Sequence, residues 1–280
     1  VSYTPRDFIP TTRFSTISTI PIPFSPPRID QKVIDEVVDT LKSGWITTGP
    51  KTKEFERRLT AYCGNKATLA VNSNTVGLEV VLRWFGVQEG DEVIVPVYTY
   101  CATANVIVHC GAKPVMVDVN ADDFDVCLEK VRRAITNKTK VIMPVDLGGM
   151  PCAYDELFEL VETEEVKTLF QAKTEEQRKL GRILILSDSA HSIGAEYKGR
   201  KAGSLADVSV FSFHAVKNLT TAEGGAIMLN LPEPFDNEEV YRYLCTYTLH
   251  GQNKDALAKT KKGAWRYDVL VSGFKGNMTD

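Results

Sequence analysis

The chain has 280 residues, 43% of them hydrophobic, enough for one large domain or two modest ones with a real core. Its 33 Lys and Arg against 36 Asp and Glu give a formal net charge of −3 with the signs interspersed, which argues against the basic face of a nucleic-acid binder and against a charged membrane patch. Six scattered cysteines without a CxxC, and four histidines without metal-like spacing, read as the reduced thiols of a cytoplasmic protein with no metal site. Cys101 and Cys110 are expected in apolar surroundings. No run of eighteen apolar residues suggests a membrane-spanning helix, and residues 1–19 lack the pattern of a signal peptide.

Residues 1–20, Ser/Thr-rich and aperiodic, read as an N-terminal tail. The PIPFSPP stretch at 21–27 is not helical, because proline removes donors and restricts its predecessor. Asp30 is placed to cap an amphipathic helix in which Val33, Ile34, Val37, Val38 and Leu41 recur with helical spacing, and Gly44 stops it. A polar loop over 45–50 leads to a second helix with Phe55, Leu59 and Tyr62 on one side. The strand ATLAV, 67–71, then runs through Asn72-Ser73-Asn74-Thr75 into a long helix over 76–85. Such a helix start offers free N–H groups to an anion. An ordinary N-cap by Ser73, Asn74 or Thr75 explains the same residues, and the two readings are compatible.

Strands are predicted at 92–97, 111–119 and 140–147, with helices reaching Cys110 and covering 127–135 between them. Tyr98-Thr99-Tyr100 follows the first of these strands. The charged stretch 162–179 reads as a solvated helix or helix pair. Beyond the strand that ends in Asp188 come a strand at 208–213, one returning antiparallel at 226–231, a helix at 237–249, and a polar connection over 251–263 carrying Lys254, Lys259, Lys261 and Lys262. Near-continuous apolar strands alternating with helices predict an α/β fold with three layers, α/β/α, around a mostly parallel central sheet. Ligands of such sheets bind beyond the carboxyl ends of the strands. Asn72, Tyr100, Asp146, Asp188 and Lys217 all fall there.

The stretch 207–225, DVSVFSFHAVKNLTTAEGG, is the most informative. A lysine just past an apolar strand, as Lys217 is, can be partly desolvated, which disfavours its ammonium and frees the amine to attack a carbonyl. Taken alone it is more often a solvated surface lysine. The strand before it changes that weighting, because it ends at Asp188 with His191 three residues on. An amine and a carboxylate at neighbouring strand tips are what pyridoxal phosphate chemistry needs. The lysine condenses with the cofactor's aldehyde, and the carboxylate keeps the pyridine nitrogen protonated. A carboxylate about 4 Å from that nitrogen, at an effective dielectric near 20, favours the cation by roughly 4 kcal/mol, around three pKa units.

With these residues in view, the chain resembles the DegT/DnrJ/EryC1/StrS family of sugar aminotransferases, within the fold-type-I pyridoxal phosphate enzymes. The likeness runs through SGWITTGP (43–50), VNSNTVGLEVVL (71–82), GDEVIVPVYTYCATAN (90–105), the long block DSAHSIGAEYKGRKAGSLADVSVFSFHAVKNLTTAEGG (188–225) and NMTD (277–280). The resemblance implies that residues 21–280 form the cofactor-binding major domain, with the small C-terminal domain of full-length members absent. It implies Lys217 as the lysine that carries pyridoxal 5'-phosphate, Asp188 at the pyridine nitrogen and His191 near the ring's 3-oxygen. Ser212, Asn74 and Thr75 would hold the phosphate, Tyr100 would stack on the ring, and Asn277 would reach the phosphate of a neighbouring subunit in a homodimer with shared sites. Asn74 stands where glycine is common in the family, so an unusual backbone conformation is expected there. The implied activity is ping-pong transfer of an amino group from glutamate to the keto sugar of a sugar nucleotide, for polysaccharide or cell-surface glycan biosynthesis. A dehydratase of the same family and a non-catalytic regulatory or interaction protein retaining the fold are the alternatives. The absence of GxGxxG after a strand weighs against a nicotinamide-dependent dehydrogenase.

Overall fold

Seven short apolar strands build the sheet on which everything else is hung. In chain order they are β1 (Ala67–Val71), β2 (Glu92–Pro96), β3 (Lys113–Val117), β4 (Thr139–Ile142), β5 (Leu184–Asp188), β8 (Val208–Ser212) and β9 (Gly225–Leu229), and a small separate hairpin is formed by β6 (Glu196–Tyr197) and β7 (Arg200–Lys201). The computed structural model describes residue 23, residues 25–254 and residues 266–280. The tail expected over 1–20 and the predicted loop lysines Lys259, Lys261 and Lys262 lie outside the described residues. Lys254 lies within them, with its amine donating to the Arg266 carbonyl.

The sheet order is β1-β9-β8-β5-β4-β2-β3. Pairings β2–β3, β2–β4, β4–β5 and β5–β8 are parallel, and β9 alone runs against its neighbours β1 and β8. The predicted α/β/α architecture is what forms. Successive strand residues point to opposite faces, so Leu69, Val71, Val93, Val95, Val208 and Val210 pack into one core while Ala70, Ile94 and Phe211 pack into the other. The first core is covered by α3 (Asn74–Trp84), α4 (Cys101–His109) and α9 (Asn237–Tyr247), the second by α2 (Pro50–Cys63), α5 (Leu128–Ala134), α6 (Tyr154–Glu162) and α7 (Glu164–Leu169). Among the described residues no helix is long and apolar enough to cross a membrane.

Local chemistry sets the ends of these elements. Helix α1 (Gln31–Ser43) is capped by the Asp30 side chain and ends on Gly44 at φ 73°, as the sequence predicts. Its apolar stripe is not covered, however: Val33, Ile34, Val37, Val38 and Leu41 are all exposed. In α2, Leu59 is buried but Tyr62, expected on the same side, is half exposed, and Cys63 is buried beside Leu59's face instead. The N-cap of α2, Gly49, has no side chain to offer; Asp280 supplies the carboxylate instead, accepting from the N–H groups of Gly49 and Thr52, each at 2.8 Å. Strand β4 stops at Ile142, earlier than predicted, because Pro144 has no N–H to give the ladder. Pairing resumes as a single bridge between Val145 and Asp188. The unpredicted β6–β7 hairpin turns on Lys198 and Gly199, both at positive φ (48° and 77°), the backbone that a two-residue hairpin loop requires.

The charged stretch 162–179 does form a helix pair, α7 and α8 (Glu175–Leu180), but it is anchored as well as solvated. Buried Gln177 donates to the Phe85 carbonyl at 2.9 Å, and Lys173 reaches the fully buried Asp91 at 2.6 Å. Cys101 is the one cysteine the sequence misplaces. It is exposed, whereas Cys63, Cys110 and Cys152 are buried, and none of the six cysteines is in a disulfide.

Candidate active site

The carboxyl ends of β1, β2, β4, β5 and β8 open into one cavity of about 450 Å³. Lys217, Asp188, His191, Ser212, Asn74, Thr75 and Tyr100, dispersed over 140 positions of sequence, all line it. Asn72 and Asn277 do not. Asn72 is turned to the Lys275 carbonyl. The Asn277 amide donates to Thr48 Oγ1 at 2.7 Å beside a second, much smaller cavity of about 50 Å³.

Asp188 is the last residue of β5, a strand buried along its whole length. Its Oδ1 accepts from Asn74 Nδ2 at 3.1 Å and from the Ala190 N–H at 3.3 Å, and its Oδ2 accepts from Thr103 Oγ1 at 2.8 Å. An ionised carboxylate has about four acceptor positions, so one remains, on Oδ2. Burial pushes the carboxyl above the usual aspartate value, opposed by the hydrogen bonds from Thr103, Ala190 and Asn74. A carboxylate in that position gains most from a neighbouring cation.

Asn74 departs from expectation in an informative way. It is the first residue of α3 and is not among the residues at positive φ, so the unusual backbone is not needed. Its side chain points inward, holding Asp188 and also donating to the Val210 carbonyl at 2.7 Å. The cap of α3 is Ser73, whose hydroxyl accepts from the Val76 N–H. The helix start, with Asn74 and Thr75, still borders the cavity, beside buried Ser212 and Gly224. The approach is close because the facing residue is Gly225. A Cβ there would lie 2.6 Å from the Asn74 nitrogen and 2.7 Å from the Phe211 carbonyl.

Lys217 sits in the turn between β8 and β9. The turn is closed at its base by Phe213 N–H to the Gly224 carbonyl and Thr221 N–H to the Phe213 carbonyl, and the Lys217 N–H donates to the His214 carbonyl. Asn218 ties it to the preceding loop through the Ile193 carbonyl at 2.9 Å. Partial burial pushes the Lys217 ammonium below the usual lysine value, against the pull of Asp188. Burial and then the Lys217 charge push His191 below the usual imidazole value. Its Nδ1 accepts from the Gly148 N–H at 3.3 Å, so the neutral ring carries its proton on Nε2. Tyr100 precedes α4 and is 78% exposed.

Sequence reasoning missed Thr103. It lies one helical turn beyond Tyr100 and is fully buried against Asp188. The spacing of three from Tyr100 is the only signal it carried. His214 and Glu223, 3.6 Å apart, also border the cavity.

The donor set fits pyridoxal phosphate. A desolvated amine and a buried carboxylate with one open acceptor position share a cavity with a capped helix start and a serine hydroxyl, and the imidazole offers one N–H donor. Lys217, Asp188 and His191 would hold the ring, and Ser212 with the start of α3 the phosphate.

Comparison with known proteins points the same way. Residues 27–280 match the model of the DegT/DnrJ/EryC1/StrS aminotransferase family. The chain is 40% identical to the uncharacterised protein MJ1066 of Methanocaldococcus jannaschii, over 91% of this chain and 60% of that protein. It is 36% identical to the spore coat polysaccharide biosynthesis protein SpsC of Bacillus subtilis, over 92% and 61%. Among solved structures, the PMP form of the "Putative sugar aminotransferase Spr1654" of Streptococcus pneumoniae superposes with a TM-score of 0.88 at 53% identity, over 92% of this chain and 64% of that one. That protein is also solved in a PLP form. This chain thus spans about three fifths of the length of the relatives it matches. On the sheet, the site and the match across residues 27–280, the chain belongs to the DegT/DnrJ/EryC1/StrS aminotransferase family.

Proposed function

We propose that this chain is the cofactor-holding part, residues 21–280, of an aminotransferase that moves an amino group from glutamate to the keto sugar of a sugar nucleotide. The family's aminotransferases depend on pyridoxal 5'-phosphate. The observation that carries the reading is the convergence of Lys217 and Asp188, from neighbouring strand tips, on one cavity. The cofactor supplies an aldehyde that takes up an amine and a ring that accepts electron density.

The protein's own contribution follows from the geometry. Asp188, locked by Asn74, Thr103 and Ala190, offers its open Oδ2 position to a single N–H donor and holds that proton in place. Lys217, its ammonium pushed below the usual lysine value by partial burial, would hold the cofactor through its amine and, when free of it, would take up and deliver the proton of the donor's α-carbon. The fixed Nε2–H donor of His191 would help hold the ring. Lys217 also favours amino transfer over the dehydratase chemistry of the family, which replaces that lysine with histidine.

The active unit in this reading is a homodimer. Val97, Tyr98, Tyr100 and Met150, on the loops that carry cavity residues, are exposed large apolar side chains that a second copy would cover. Asn277 would then serve the site of the neighbouring subunit. The test uses the full-length protein with pyridoxal phosphate and glutamate, followed by a panel of keto-sugar nucleotides. Glutamate should convert the visible cofactor band to that of the aminated form, and one nucleotide should reverse it. The Lys217→Ala variant should show no lysine-bound band at all. A band retained in Lys217→Ala, or no response to any amino donor, overturns the reading.

A further inference from the structure

A second buried carboxylate, Asp146, borders the same cavity. Its environment differs from that of Asp188 in one decisive respect. Oδ1 accepts from the Cys152 N–H at 3.2 Å and the Tyr154 hydroxyl at 2.7 Å, and Oδ2 accepts from Ser189 Oγ at 3.1 Å and Ser192 Oγ at 2.6 Å. Four donors fill the roughly four acceptor positions of a carboxylate, so Asp146 has nothing left to offer a ligand. What it holds is the turn 188–192. The two serines flank His191, the Asp146 N–H donates to the Asp188 carbonyl at 3.1 Å, and the Gly148 N–H two residues on donates to His191 Nδ1. Gly149, at φ 90°, lets the two loops touch; a Cβ there would lie 3.0 Å from the His191 carbonyl oxygen.

We propose that Asp146 is a positioning residue of the site, clamping the 188–192 turn against the 146–149 loop so that His191 faces the cavity in one orientation and one tautomer, with Nε2–H as its only donor. This deepens the cofactor reading above and rests on it for its functional consequence. The clamp itself is a property of the protein without ligand. The last sheet contact before His191 is the Ser189 N–H to the Val210 carbonyl, two residues earlier, and the other bonds of the turn (Ser192 N–H to the Ser189 carbonyl, Asn218 to the Ile193 carbonyl) are made to its backbone and do not touch the imidazole. Buried Tyr154, which also bonds Ser187, anchors the carboxylate from the opposite side.

The experiment follows the histidine directly. The C2 proton of His191 is titrated by NMR in the full-length protein without cofactor, assigned by its loss in His191→Gln. The charged groups acting on it are Lys217 and Asp188. In Asp146→Asn the His191 pKa should move toward the ordinary imidazole value by at least about half a unit, with the other histidines unmoved. The double variant Ser189→Ala/Ser192→Ala, which cuts the same clamp while keeping the carboxylate, should do the same and serves if Asp146→Asn does not fold. With pyridoxal phosphate added, the pH midpoint of the visible band should shift in both variants while the band itself remains. A His191 titration and a band midpoint that match the parent protein in both variants overturn the proposal. A parent protein that forms no lysine-bound band defeats the cofactor reading instead, and the NMR titration still decides the clamp.

Discussion

The two walls of the cavity are built differently. The acid wall is a strand tip in the middle of the sheet, with Asp188 gripped by donors from three separate elements. The amine wall is a turn of irregular backbone between β8 and β9, and among the described residues no hydrogen bond holds the Lys217 amine. The contrast fits the role proposed for each group. A carboxylate that fixes one proton gains from being immobile, and every donor on it is prepaid organisation. An amine that must attach, detach and carry a proton needs reach and a partly neutral state. Partial desolvation pushes the ammonium below the usual lysine value and so favours the neutral amine, whereas a hydrogen-bonded clamp would tether the amine.

The largest effect should come from neutralising the acid wall without moving it. In Asp188→Asn the amide oxygen can still accept from Asn74 and Ala190, and its NH2 can donate to Thr103 Oγ1. The fold and cofactor binding should therefore persist. Losing roughly 4 kcal/mol of charge stabilisation predicts a fall in kcat of about 10³-fold, measured in the glutamate half-reaction of the full-length protein. Near-normal turnover would mean that the grip on Asp188 serves the fold alone.

A smaller loss should follow from loosening one of the three donors. Thr103→Val keeps shape in a fully buried position and removes the bond to Oδ2 together with the hydroxyl contact to Thr99 at 2.7 Å. A hydrogen bond to a charged group contributes about 1.5–3 kcal/mol, so kcat should fall roughly ten- to a hundredfold, with KM for the amino donor little changed. A change in KM alone would place Thr103 on the substrate's path and not behind the carboxylate.

How much of this was legible in the sequence depends on the range of the interaction. Helix α1 was readable at both ends because its cap and stop are local, but nothing local says what covers its apolar face, and the face is bare. The strand tips placed Lys217 and Asp188 correctly in one cavity, since the α/β pattern fixes where tips go. The grip on Asp188 was not readable. Asn74 is 114 residues away and Thr103 is 85, and either could have been a plain helix-start residue. The Asp280 cap of α2 spans 231 positions to Gly49 for the same reason. Cys101 failed differently. Its neighbours in sequence are apolar, but α4 buries Thr103, Val106 and Ile107, and Cys101 lies off that face by the 100° step of the helix.

The finest test of the comparison lies beneath the cavity, where Ser187 of β5 and Ser209 of β8 stand side by side in register. Ser187 belongs to the acid wall's support, bonded to Tyr154 and to Ser189 at 2.7 Å. Ser209, on the strand that leads to the amine wall, is buried with its hydroxyl unpartnered among the described residues. Burying an unbonded hydroxyl costs about 1–3 kcal/mol, and Ser209→Ala removes that hydroxyl while opening only the space of one oxygen. The variant should be neutral or stabilised by up to about 1 kcal/mol, whereas Ser187→Ala, which removes a hydroxyl that Tyr154 and Ser189 share, should lose about 1–2 kcal/mol. Chemical denaturation of both variants reads the difference. If Ser209→Ala destabilises as much as Ser187→Ala, the polar support extends under both walls and the asymmetry drawn here is confined to the tips of the strands.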